Sequence, residues 1–417
     1  MAHLAGARRR GRARTRPAPC RAARAAAAVL LAISLPAATT AGEAGSSGPF
    51  PAFANEVEAA LVRAIFGLRE SGLRHAMGEI DHALARTPNF RLGHLIRGDL
   101  LMARAGNPVA FGPAASASAG VAPLQDEARA RLRRYLDAPP RDHLPLPVMQ
   151  MAPSQAHVLL VDTARSRLFV FANHGGEPRY VTDFYISLGK NGVEKRREGD
   201  QKTPLGVYTI VSAKEKLPDF YGPGAFPISY PNEWDRLQRR NGYGIWLHGT
   251  PSETYSRPPR ATDGCVALTN DDLRRLARYV DVGRTPVVIS EGVEWAPPGR
   301  WEEGRREFMA AFEQWRADWE SLDTTRYLAH YSPRFRSDGR DFAAWSAQKR
   351  KVNAGKAWVK VGISDLSLFA HPDNDGMLVA TFTQDYRSSN LSNRTVKRQY
   401  WSRDQGRWRV VFETVIS

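Results

Sequence analysis

The chain has almost no cysteine: its 417 residues include only Cys20 and Cys265. Cys20 falls in a basic leader, so a processed chain keeps one thiol and forms no internal disulfide. A zinc site needs about four ligands, and no second cysteine lies near Cys265. Long apolar runs are missing as well; no stretch past the leader reaches the ~18 residues a membrane span requires. The first 24 positions hold eight arginines and no acidic residue. Ala25 to Leu35 is then apolar, and small residues run on to Ala41. Basic, apolar and small segments in that order read as a cleaved secretory signal over residues 1–41, with a nucleic-acid arm as the weaker alternative. Losing the eight arginines takes the net charge from +16 to +8. A chain still basic after export suits anionic wall polymers or a peripheral contact with a membrane surface, and no nucleic acid.

What is present centres on the stretch from His248 to Cys265. A lone thiol is either a small buried hydrophobe or a reactive group. Its neighbours favour the second. Asp263-Gly264 lets the backbone turn sharply, exposing Cys265, with its own amide and that of Gly264 open to an oxyanion. An imidazolium at His248 would hold Cys265 as thiolate, since a neighbouring cation stabilises S⁻. The Ser, Pro, Arg and Tyr residues between them read as a loop that folds the two together.

His248-Gly249, a loop, then Thr262-Asp263-Gly264-Cys265 resembles the signature of the YkuD-type L,D-transpeptidase catalytic domain, a family of cell-wall cysteine acyltransferases. Ser187-Leu-Gly-Lys190-Asn-Gly192, with Thr203-Pro204-Leu-Gly206-Val-Tyr208, is similar to the family's upstream segment. Two motifs in the right order are more specific than either alone. Asp263 stands where many members carry a second His, and no Arg follows Cys265. The resemblance implies Cys265 as nucleophile, His248 as base and the Gly249 carbonyl as the group that orients the imidazole. It implies neither metal nor cofactor. Thr262, Asp263 and Gly264 would flank the oxyanion and substrate. Tyr230 and Trp234 belong to an aromatic, glycine-rich insertion starting at Tyr221, which either walls the substrate groove or packs as an Ω-loop.

The rest of the chain divides by periodicity into a multidomain protein. Residues 50–147 read as helical: Glu56–Glu70, Leu73–Arg86, Phe90–Arg104 and Leu124–Leu136 carry apolar residues at helical spacing, and Pro139 to Pro147 reads as a linker. The first hairpin resembles a tetratricopeptide unit, and is read as a docking or homodimerisation module or else a structural collar. Residues 152–292 alternate as strands, a mainly-β catalytic domain. Residues 300–417 pair a long helix, Trp301–Leu322, and a shorter one to Tyr331 with four strands, which resembles an α+β NTF2-like cone. Neither terminal domain carries a nucleophile with a base, so both are expected to select substrate and partner, leaving the middle segment competent alone.

This three-part order resembles that of periplasmic L,D-carboxypeptidases that trim peptidoglycan stems. What the resemblance implies is attack by Cys265 on a tetrapeptide stem, release of D-Ala and a thioester. An amine acceptor then makes this a transpeptidase, the family-level expectation; water makes it a carboxypeptidase. A non-catalytic wall-binding or scaffold protein is the reading from another class.

Overall fold

The computed structural model describes residues 55–106, 120–140, 142–337, 339–373 and 376–416; the expected signal segment lies outside them. The architecture is a set of N-terminal helices, a mainly-β middle domain and a C-terminal NTF2-like domain.

Helix Glu56–Glu70 starts where Asn55 Oδ1 accepts the Val57 and Glu58 amides, satisfying two of the donors a helix N-terminus leaves open. It packs on Gly72–Arg86 through Ala60, Ala64, Ala76, Ile80 and Ala83, all fully buried. Arg91–Arg104 and Ala122–Leu136 complete the group. One face of this group is turned onto the middle domain by charge. Glu58 receives both Arg131 and Arg134, and Arg134 continues to Asp183, which also takes Arg167 at 2.9 Å. These carboxylates and guanidiniums are largely buried, so each depends on its partner; breaking such a pair typically costs about 3–5 kcal/mol. Asp183 shows the effect: despite burial, Arg134 and Arg167 hold its pKa down to about 2. The helices therefore act as a collar on the middle domain.

The middle domain is built on a five-stranded sheet in the order Glu177–Tyr185, Arg167–His174, His157–Asp162, Pro286–Ser290, Gly206–Thr209. Only the His157–Asp162 and Pro286–Ser290 pair is parallel. Alternate side chains of a strand face opposite ways, and here both faces are covered. Leu159, Val161, Val287 and Ile289 pack against Leu247 and Val266 of a second sheet, Ala225–Pro227, Trp246–His248 and Val266–Ala267. Val158, Leu160, Phe169 and Val288 pack against Phe369, Val379, Tyr400 and Phe412 of the C-terminal domain. The unbroken Val-Leu-Leu-Val run at 158–161 follows from this double burial.

In the C-terminal domain, helix Pro298–Glu320 lays Phe308, Phe312, Trp315 and Trp319 into a seven-stranded sheet. Its order is Arg340–Asp341, Tyr331–Ser337, Arg407–Val415, Ser392–Asp404, Met377–Ser388, Val359–Ala370, Val148–Gln150. Three features differ from the periodicity reading. Val148–Gln150, just beyond the expected linker, is an edge strand of this last sheet. Leu144–Pro145, within that linker, pairs with Trp295–Ala296. Tyr331–Ser337 is a strand, and Phe342–Ala354 is a further helix capped by Asp341. Short or edge elements bury few side chains and leave little periodic trace.

Candidate active site

Leu247 and Val266 pair in register across parallel strands and are both fully buried in the core. His248 is the register partner of Ala267, and Cys265 lies two residues before Ala267, immediately ahead of the same strand. Strand pairing, rather than the intervening loop, is what brings His248 and Cys265 together.

The imidazole is fixed from several sides. His248 Nδ1 lies 2.7 Å from the Gly249 carbonyl, which selects the tautomer with its proton on Nδ1 and leaves Nε2 as the base. Gly249 N–H donates to the Tyr221 carbonyl at 3.0 Å, and Thr250 N–H donates to Asn270 Oδ1 at 2.8 Å. A Cβ at position 249 would fall 2.3 Å from Asn270 Oδ1, so this residue must be glycine. The Phe220 ring stacks on His248 at 6.1 Å, and Tyr221 meets it edge-on at 5.3 Å. Burial under these rings pushes the His248 pKa down to about 4, with the Arg257 charge adding to the shift and the Gly249 hydrogen bond opposing it.

The nucleophile sits on a turn welded to the upstream motif. Gly264 has φ +123°, and a Cβ there would meet the Lys202 carbonyl at 2.7 Å. Buried Thr203 bridges the motifs, accepting the Gly189 amide at 3.0 Å and donating to the Gly264 carbonyl at 3.1 Å. Lys190 N–H donates to the Thr262 carbonyl at 2.8 Å. Cys265 Sγ donates to the Gly244 carbonyl at 3.3 Å. Burial pushes the thiol up to about 11, Asp263 adds to the shift, and a hydrogen bond from the Trp246 amide opposes it.

Three expectations change. Burial of both groups favours a neutral thiol and a neutral imidazole over a resting thiolate–imidazolium pair. The Gly264 amide is not open to an oxyanion, because it donates to Thr262 Oγ1 at 3.2 Å, and that hydroxyl donates to the Cys265 carbonyl at 2.7 Å. The Cys265 N–H has no partner among the described residues. The Asp263 carboxylate pairs with Lys190 Nζ at 2.9 Å and accepts from Gln201 Nε2 at 3.0 Å. Tyr230 and Trp234 do not wall the groove. Tyr230 is buried with its hydroxyl on the Asn241 carbonyl, and Trp234 stacks on Tyr400 of the C-terminal domain at 4.8 Å. Hydrophobic area drew Tyr230 into the domain's own core and Trp234 into the interface, and Phe220, just before the insertion, and Tyr221 cover His248 instead. Asn270, Gly244 and Phe220 escaped sequence reasoning because their roles depend on contacts distant along the chain.

Residues 156–289 match the model of the L,D-transpeptidase catalytic domain, YkuD. The middle domain is a YkuD-type domain. Residues 307–414 match the Cds6 C-terminal NTF2-like domain. The chain is similar to the solved structure of Bd1075 from Bdellovibrio bacteriovorus, at 27% identity and TM-score 0.59, over 66% of this chain and 98% of that one. It is also similar to the helical cell shape determining protein Pgp2 from Campylobacter jejuni, at 26% identity and TM-score 0.56, over 68% and 98% of the respective chains. Both span all three parts of the architecture. No curated protein matches the chain. Within the YkuD-type domain Gly249 fixes the His248 ring, Thr262 and Gly264 shape the turn that carries Cys265, and Asp263 is paired with Lys190.

Proposed function

We propose that this chain is an exported, periplasmic cysteine acyltransferase acting on peptidoglycan tetrapeptide stems. The observation that carries the reading is His248, pinned through Nδ1 to Gly249 with Nε2 left as base, on the strand that pairs in parallel with the one Cys265 immediately precedes. Rotation of the thiol from the Gly244 carbonyl toward Nε2 starts the reaction. Nε2 takes the Sγ proton as sulfur bonds to the stem carbonyl, and the carbonyl oxygen becomes an oxyanion near the Cys265 N–H. Nε2–H returns the proton to the departing amine, the C–N bond breaks, D-Ala leaves, and a thioester remains. An acceptor then gives a proton to Nε2, attacks the thioester and releases the sulfur, which regains a proton.

An amine acceptor gives a cross-link, the reaction of the transpeptidase class. Hydrolysis to tripeptide is the second reading, and likeness to a cell shape determining protein along nearly its whole length favours it, because trimming stems removes cross-linking donors. The test is incubation of purified protein with disaccharide tetrapeptide, alone and with excess D-amino acid. Tripeptide without dimer or exchange establishes hydrolysis; 3→3 dimers or exchange establish transfer. Release of D-Ala by Cys265→Ala at the wild-type rate would end both readings.

A further inference from the structure

The loop that joins His248 to Cys265 carries Arg257, whose guanidinium the reaction above does not use. We propose that Arg257 binds the free α-carboxylate of the departing amino acid, confining the donor to stems that end at that residue. The loop backbone is clamped at this point. Tyr185 Oη donates to the Arg257 carbonyl at 2.9 Å, Ser187 Oγ to the Pro258 carbonyl at 2.5 Å, and the Leu188 amide to the Pro259 carbonyl at 2.8 Å. The guanidinium lies 4.8 Å above the ring of Phe220, the ring that also stacks on His248. Yet no carboxylate or carbonyl pairs with it among the described residues. Two neighbouring lysines are already neutralised: Lys190 is bound by Asp263 and Lys195 by Asp200.

Burial lowers the Arg257 pKa, and the field of Asp263, whose carboxylate is itself bound to Lys190, only partly offsets it. Its field also reaches both reacting groups, His248 and Cys265. The ligand chemistry follows from the leaving group. In a departing α-amino acid the carboxylate is two bonds from the scissile nitrogen, so its oxygens lie within about 4 Å of the bond that breaks. An arginine on the loop between nucleophile and base is placed for that anion, and its planar fork matches a carboxylate in bidentate fashion. Val266, Ala267 and Leu268, which directly follow Cys265, carry no cation to take this part.

The inference rests on stem cleavage by Cys265, and its test separates the two. Release of the terminal residue is measured for a tetrapeptide stem and its C-terminal amide, with wild type, Arg257→Lys and Arg257→Ala. Wild type should prefer the acid in kcat/KM by roughly 10- to 100-fold, the usual worth of a hydrogen bond to a charged group. Arg257→Ala should lose that preference through the acid alone, and Arg257→Lys should keep part of it. An unchanged acid-to-amide ratio in Arg257→Ala, or an equal fall for both substrates, overturns the assignment while leaving stem cleavage standing. No release from either substrate by folded wild type overturns both.

Discussion

Alkylation of Cys265 by a neutral reagent such as iodoacetamide is expected to be slow at neutral pH and to accelerate steeply in alkali. Burial sets the thiol pKa at about 11. The thiolate fraction at pH 7 is then roughly 10⁻⁴, against about 3% for a free cysteine of pKa ~8.5. The more basic thiolate is the better nucleophile by about tenfold over that pKa difference. Net labelling should therefore be about 30-fold slower than for free cysteine, rising about tenfold per pH unit to near pH 10. Initial rates across pH 5–10, read by intact mass with Cys265→Ala as blank, test this. A fast plateau between pH 5 and 8 would refute the reasoning, since only a preformed thiolate–imidazolium pair reacts that way. Stability follows the same linkage. The raised thiol pKa contributes stability that is present below about pH 8.5 and is lost as pH rises through about 11. Cys265→Ala should lack that alkaline loss in denaturant melts.

His248, depressed to about 4, stays a competent base through weakly acidic conditions; the acid limb of kcat/KM should fall near pH 4, and a limb at 6.5 would contradict burial of the imidazole. His248→Ala should lose nearly as much turnover as Cys265→Ala, with the double variant no worse, because the pair acts as a unit. Gly249→Ala should destabilise by about 1–3 kcal/mol and lower kcat, measured by thermal melting and D-Ala release, because its Cβ would displace Asn270. Trp234→Ala should cost about 3–5 kcal/mol, and the protein that remains folded should keep its kcat, since this ring serves the contact with Tyr400. Contrary to the expectation from the sequence that the middle segment is competent alone, residues 151–290 should melt without cooperativity, because one face of their sheet and the Asp183–Arg167 pair would lose their cover. A sharp melt and normal β-lactam acylation of that fragment would count against the contribution of both flanking domains.

The local sequence already marked the candidate site residues. His248-Gly249 and Asp263-Gly264-Cys265 were legible because a glycine with a Cβ-excluding neighbour and a residue at φ +123° leave few substitutes. Helical and strand periods were legible for Glu56–Glu70, His157–Asp162 and Pro286–Ser290, where burial repeats along the element. Tertiary structure decided the rest. Whether Trp234 meets substrate or a neighbouring domain depends on a surface more than a hundred residues away, and aromatic residue type is the same in either case. The ionisation of Cys265 depends on how much water the fold removes, which no motif records. The collar of helices was undecidable from spacing, because Glu58, Arg134 and Asp183 become a network only when their elements meet. Residue types set what each group can do; burial and long-range pairing set which of those capacities the folded chain uses.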